Sequence, residues 1–283
     1  MLPFRKILFP VDYSEPCAAI IPAVREMLEH FSAELTIVHA YGPEALAYSP
    51  LPITDPRLPA EAEALSEERL REFAETHFAG RSVEMFTGIG EPGGVIHDIV
   101  QREGADLVML PTHGRGPLRR LLLGSVTAKV LHDTTVPVWT SSHVHTGLGK
   151  PYRSVLAAVD TSEEAEVVMR AAAALAKSYE ARLSMVYVLE MPPVSVETAY
   201  GQYLEDYMNG AEARLTVLRE KAGVSTLCAI RQGPVALAIA DEAKRQEADL
   251  IVTGRGQDLG AISRMWSHLY PIVRHAACPV ISI

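Results

Sequence analysis

The chain has 283 residues, 48% hydrophobic and 22% charged, enough for two ordinary domains with a sizeable core in each. Asp and Glu total 35 against 26 Lys and Arg, a formal charge of -9. That charge repels nucleic acid and anionic lipid at long range and argues against both as partners. The 3 cysteines, Cys17, Cys228 and Cys278, lie far apart, which excludes a disulfide scaffold and a CxxC metal or redox site and fits a reducing cytoplasm.

The first apolar run, Ile7 to Val11, stops at Asp12 and is too short for a signal peptide. No stretch of about 18 uncharged apolar residues follows, so no membrane span is expected. The run reads instead as a buried parallel strand ending at an acid. Ser14 can N-cap the next helix, with Pro16 in its first turn and Ile20, Val24, Met27, Leu28 and Phe31 on one apolar face. Leu35–His39 is a second strand. A Pro-rich loop (Pro43, Pro50, Pro52, Pro56, Pro59) leads to a charged helix over Ala60–Phe78. Ser82–Phe86 reads as a third strand, Gly94–Glu103 as a helix, Asp106–Leu110 as a strand, Ser125–His132 as a helix and Val136–Thr140 as a last strand.

The chain then repeats itself. Lys6-Ile7-Leu8-Phe9-Pro10-Val11-Asp12 returns as Ser154-Val155-Leu156-Ala157-Ala158-Val159-Asp160, and Glu34 to His39 returns as Arg182 to Tyr187. Gly104-Ala105-Asp106-Leu107-Val108 returns as Glu247-Ala248-Asp249-Leu250-Ile251, and Val136-Pro137-Val138 as Cys278-Pro279-Val280. Order is preserved, so the sequence holds two copies of one fold. A polar, Gly-bearing junction near Ser141–Arg153 separates a first domain over 1–145 from a second over 150–283. Alternating strands and helices imply an α/β fold, two tandem doubly wound domains with a five-stranded parallel sheet each. In such sheets ligands bind beyond the carboxyl ends of the strands, where strand order reverses. That rule points to Asp12, Ala40 and the segment after Leu110.

The segment after Leu110 carries the chemistry. Gly114 and Gly116 permit close backbone approach. Gly124 precedes Ser125 at a helix start whose free N–H groups suit an anion. Ser125 and Thr127 add hydroxyls, and Arg115, Arg119 and Arg120 add local positive charge. Gly114, nine intervening residues and Gly124-Ser125 resemble the loop G-x2-G-x9-G-[ST] of the universal stress protein family. The first strand ending in Asp12 and the pair His39-Ala40 at the end of the second resemble that family too, and the resemblance covers the whole chain twice.

The resemblance implies the adenine nucleotide alpha hydrolase-like fold, strand order 3-2-1-4-5, and an adenine-nucleotide site. Pro10, Val11 and Asp12 would face the adenosine, and Ala40 would offer its backbone to the adenine edge. Leu110, Pro111, His113, Gly114, Arg115, Gly124, Ser125, Val126 and Thr127 would surround ribose and phosphates. ATP or another adenine nucleotide is the implied ligand, with Mg²⁺ on the phosphates. A cytoplasmic, ATP-binding stress-response protein is the implied role, a sensor or regulator with an unknown protein partner. Pairing through the last strands is implied as well, inside the chain as a pseudo-dimer or between chains as a homodimer.

Two departures stand out. Pro111 replaces the family's first glycine and removes one N–H. In the second copy Gly254 keeps the first glycine, but Gln257 replaces the second, and Trp266 or Ser267 the third. Trp would fill phosphate space, so the second copy is expected to keep its fold and Asp160 and to lose nucleotide binding.

Each signal has a structural alternative. Asp12 can be a helix-start acid, and Asp160 reads mainly as one, with Thr161 and Glu164 forming a capping box. His113 is a general base, a phosphate donor or a loop histidine. His143 and His145 lack a third metal ligand. Tyr200, Tyr203 and Tyr207 fall at helical spacing and suit packing better than base stacking. Cys17 and Cys278 read as buried and inert. No G-x-S-x-G, HExxH, P-loop or SGGxDS-like motif occurs, so no catalytic or metal residues are assigned. A nucleotide-free scaffold and a slow ATP-hydrolysing enzyme using His113, Asp12 and a metal are the alternatives.

Overall fold

A computed structural model describes residues 3–42, 58–113, 123–142, 147–189, 200–255 and 268–283. The chain forms two compact units, Pro3–Lys150 and Pro151–Ile283. The first contains β1 (Lys6–Pro10), α1 (Glu15–Ala19), α2 (Ile21–Phe31), β2 (Glu34–Tyr41) and α3 (Leu58–His77). It continues with β3 (Val83–Ile89), α4 (Pro92–Glu103), β4 (Leu107–Pro111), α5 (Ser125–Asp133) and β5 (Val138–Ser141). Its strand order is β3-β2-β1-β4-β5, and the paired neighbours run parallel.

The second unit contains β6 (Ser154–Val159), α6 (Glu164–Ser178), β7 (Arg182–Leu189), α7 (Tyr200–Ala222) and β8 (Cys228–Gln232). It ends with α8 (Val235–Arg245), β9 (Leu250–Thr253), α9 (Tyr270–His275) and β10 (Val280–Ser282). Its order, β8-β7-β6-β9-β10, is that of the first unit. This is the tandem, doubly wound α/β architecture expected from the sequence.

The central strands are apolar because helices cover both faces. Ile7, Leu8 and Phe9 on β1 are fully buried, as are Val155, Leu156 and Ala157 on β6. The recurring aspartate pins each central strand. The Asp106 carboxylate accepts the backbone N–H of Arg5, at 2.9 Å to Oδ2, and of Lys6, at 3.1 Å to Oδ1. Asp249 does the same for Arg153 at 2.8 Å and Ser154 at 3.0 Å. In each unit one carboxylate therefore ties the start of the central strand to the start of its neighbour.

Beyond that tie the first sheet opens. β1 is registered with β2 over five residues, Lys6–Pro10, but with β4 only at Ile7 and Leu8. Val11 N–H continues toward β2, donating to Val38 O at 2.8 Å, and Thr112 N–H goes to Ser141 O beside β5 at 2.9 Å. The two central strands thus part at their carboxyl ends, where strand order reverses.

Several boundaries differ from the sequence reading for identifiable reasons. The first helix is two, broken at Ile20, because Pro22 has no N–H to give the Ala18 carbonyl. β3 runs on to Ile89 because backbone pairing with β2 extends to Tyr41↔Ile89, past its apolar run. α4 starts earlier, at Pro92, because Glu91 caps it by accepting from Gly93 and Gly94 N–H at 2.9 and 3.0 Å. No helix among the described residues is long and apolar enough to cross a membrane.

Cys17 and Cys278 are buried and Cys228 half-buried, and burial pushes all three thiols up to about 12. Almost no thiolate exists at pH 8. A thiol reagent is expected to label none of them within minutes in the folded chain and all of them in guanidinium. Fast labelling of the folded chain would contradict this burial. Asp249→Ala removes two charge-assisted bonds and is expected to cost about 1–3 kcal/mol of stability by denaturant titration.

Candidate functional site

The carboxyl end of β1 is shaped by one residue. Asp12 Oδ1 accepts both the backbone N–H of Ser14, at 2.9 Å, and its hydroxyl, at 2.6 Å. Ser14 Oγ in turn accepts Cys17 N–H at 3.2 Å and caps α1. Asp12 is therefore a helix-start acid, half-exposed at the crevice. The turn puts Tyr13 in the left-handed region, at φ 59. Its ring packs on His39, with centroids 4.6 Å apart, and the Arg69 guanidinium lies 4.9 Å from its centroid. His39 Nδ1 pairs with Val11 O at 2.6 Å. That contact holds the end of β2 against the end of β1. Ala40 stands opposite Gly88, so the outer lip of β2 carries little side-chain bulk.

Across the crevice, β4 ends in Leu110 and Pro111, both buried. Val108 and Thr112 N–H both point to β5, so strand alternation turns the Pro111 backbone toward the β1 side. Proline removes a donor on that side, and the Pro111 carbonyl accepts the Thr127 hydroxyl at 2.9 Å. Thr127 is thus a buried strut between α5 and β4 (3% exposed). Gly124 N–H donates to Thr112 O at 2.9 Å, and a Cβ on Gly124 would stand 3.2 Å from that oxygen. Only glycine brings the helix start this close without a shift. No side chain caps α5, so its first-turn N–H groups stay available. Ser125 is exposed beside them, and Val126 is half-buried. His113 is half-buried and pairs through Nδ1 with Thr112 Oγ1 at 2.8 Å.

The structure thus brings Pro10, Val11, Asp12 and Ala40 to one side of the strand-order reversal. Leu110, Pro111, His113, Gly124, Ser125, Val126 and Thr127 stand on the other. The Leu110 and Val11 side chains are turned into the core, each residue being 3% exposed. Gly114, Arg115, Gly116, Arg119 and Arg120 lie outside the described residues, as do His143, His145, Gln257 and Trp266. Among the described residues no group of three or more His, Cys, Asp or Glu could hold a metal ion.

The second copy repeats the turn. Asp160 Oδ1 accepts the N–H and the hydroxyl of Ser162, at 2.9 and 2.5 Å. The capping box expected between Thr161 and Glu164 does not form: α6 begins at Glu164 with no side-chain cap, because the Asp160 turn takes its place. Here a cavity of about 500 Å³ lies at the carboxyl end of the sheet. Asp160, Thr161, Tyr187, Gly254 and Arg255 line it, against an apolar wall of Val188, Ile239, Leu269 and Ile272. Sequence reasoning missed this cavity. Its signal was Thr161, a small residue where the first copy has Tyr13. Burial, with Tyr207 and Asp160 nearby, pushes the Tyr187 phenol up to about 12. Tyr207, 46% exposed, lines the cavity. The Tyr200 and Tyr203 side chains lie outside the described residues.

The fold is a doubly wound α/β protein in two copies, and comparison with known sequences gives the family. The model of the universal stress protein family matches residues 3–141 and again 151–283, so the chain belongs to that family. It is 26% identical over 132 residues to universal stress protein A homolog of Haemophilus influenzae, spanning 44% of this chain and 86% of that one. It is 29% identical over 147 residues to universal stress protein YxiE of Bacillus subtilis, spanning 48% and 97%. Over the whole chain the fold resembles the crystal structure of a universal stress protein from Archaeoglobus fulgidus. That likeness has a TM-score of 0.70 at 21% identity and covers 98% of this chain and 95% of the other.

Thr127→Val keeps the side chain's shape but leaves the Pro111 carbonyl buried without its donor. It is expected to lower unfolding free energy by about 1–3 kcal/mol. An unchanged denaturation midpoint would show that this strut does not hold α5 to β4.

Proposed function

We propose that the chain is a cytoplasmic adenine-nucleotide-binding regulator of a stress response, with ATP held in the first copy. What supports this reading is the pairing of two features across one crevice: the uncapped start of α5 at Gly124-Ser125 and the half-exposed carboxylate of Asp12. A helix start gives N–H groups and positive potential to phosphates. A carboxylate oxygen accepts from sugar hydroxyls. The two ends of a nucleotide therefore meet opposite chemistry at the two sides. Gly114 and Arg115 belong to the proposed phosphate side, and His113 and Ser125 have donors for the same group. Mg²⁺ would accompany a triphosphate and offset its charge. Bound nucleotide would alter the surface that this side of the crevice presents to a protein partner. No residue is assigned a catalytic role.

A nucleotide-free scaffold of the same fold is the second reading, and Pro111 favours it. The two differ in a simple measurement. Calorimetric titration with ATP and Mg²⁺ is expected to give binding that Pro111→Gly tightens by up to about tenfold, since it restores a cleft-side donor. Asp12→Asn keeps an oxygen for the Ser14 turn but removes the negative charge and replaces the second oxygen with a donor. It is expected to weaken ATP by about tenfold with little change in melting temperature. No heat and no thermal shift at millimolar ATP would favour the scaffold.

A further inference from the structure

β3 (Val83–Ile89) is an edge strand of the first sheet: β2 pairs with one side of it, and no strand among the described residues pairs with the other. Gly90 N–H donates to Tyr41 O at 2.9 Å. Strand alternation therefore turns the backbone groups of Glu84, Phe86 and Gly88 toward β2 and those of Val83, Met85, Thr87 and Ile89 outward. Edge strands are ordinarily guarded by Lys, Pro or a bulge. β3 has neither Lys nor Pro, and it pairs with β2 over all 7 residues without a bulge. Its one charge is turned into the sheet: Glu84 accepts from the Lys6 ammonium at 2.8 Å and the Thr36 hydroxyl at 3.2 Å.

The two faces of the strand differ. α4 lies over one: a Cβ on Gly88 would stand 2.6 Å from Val95 Cγ1, and the Arg102 guanidinium lies 4.5 Å from the Phe86 ring centroid. α3 lies over the other, where Phe73 packs on Phe9 with centroids 6.3 Å apart, at the inner end of the row Phe9, Ile37, Met85. At the outer end of that row Met85 is 41% exposed, and Ile89 on the same face is 57% exposed. Outward backbone groups and exposed apolar side chains thus share one edge.

What fits this edge is the same edge of another chain. Two antiparallel β3 strands pair along all 7 residues in one register alone, with Phe86 on the two-fold axis. That register sets Val83 against Ile89 and Met85 against Thr87. All four face outward, so each such pair can exchange both N–H···O bonds. It sets Glu84 against Gly88, which has no side chain, and keeps the two Glu84 carboxylates at opposite ends of the joint. A register centred on Glu84 would oppose those carboxylates directly and destabilise the pair. We propose that β3 is an isologous docking edge for a second chain of this protein, joining the first sheets of two chains about an axis at Phe86. The joint uses neither β5 nor β10. One strand from each side falls short of the roughly 1,200–2,000 Å² of a stable interface, so the association is reversible and depends on concentration.

The test is sedimentation velocity of the full chain from micromolar to millimolar concentration, beside three variants whose melting temperatures are recorded. Thr87→Pro removes an outward N–H and none of those given to β2. Met85→Lys and Thr87→Glu each set like charges diagonally across the joint. The parent chain is expected to associate reversibly, and each variant to weaken that association at least about tenfold with little change in melting temperature. An equimolar mixture of Met85→Lys and Thr87→Glu is expected to associate again, because Met85 faces Thr87 across the joint and the mixed pair brings opposite charges together. That recovery reports the register, and it requires both variants to be folded. The inference is overturned if the parent chain does not associate at millimolar concentration, or if Thr87→Pro and Met85→Lys both leave its association unchanged. It is also overturned if the mixture associates no better than its two components.

Discussion

One carboxylate in each copy sets up everything at the other end of the sheet. Asp106 and Asp249 each hold the backbone N–H pair that begins the central strand. Charge-assisted bonds of this kind are among the stronger ones available to a backbone. They fix where β1 and β6 start relative to β4 and β9. With the amino ends tied, the strands in the first copy can separate only at their carboxyl ends, after Leu8 in β1. A parallel doubly wound sheet must reverse its order somewhere, and here the reversal falls between those same strands. The crevice follows from the topology and the tie together. Asp12 and Asp160 finish the strands at that crevice, each spending one oxygen on its turn.

Duplication then allowed the two crevices to diverge without disturbing either core. The buried residues of β1 and β6 are interchangeable in kind, whereas the residues that face the openings are not. Tyr13 folds its ring over His39 in one copy; Thr161 leaves that volume open in the other. Pro111 closes a cleft-side donor position in the first copy, while the matching residue in the second copy is Gly254.

The fold was legible because the signals were local. Short apolar runs such as Ile7–Val11 and the recurrence of Gly104-Ala105-Asp106 around Glu247-Ala248-Asp249 identified the strands, and their order fixed the repeat. The helix start at Gly124-Ser125 was legible for the same reason, a glycine and a hydroxyl at a strand-to-helix junction. What stayed hidden depended on competition or on distant partners. Asp160-Thr161-Ser162-Glu163-Glu164 spells both an aspartate turn and a capping box, and only the fold shows that the turn wins. The apolar face around Ile20 runs through Pro22 without a sign of the break, because periodicity reports the face and not the backbone bond. The second cavity is lined by both Thr161 and Tyr187, which come together only because β6 pairs with β7.

The central claim is that the first copy is the nucleotide site and the second is not. The most direct measurement counts adenine nucleotide released on denaturing the chain, purified without added nucleotide and again after equilibration with millimolar ATP and Mg²⁺. About one adenine nucleotide per chain at saturation is the predicted result, set by the single helix start paired with Asp12. Two per chain, or none even after ATP is added back, would contradict the account.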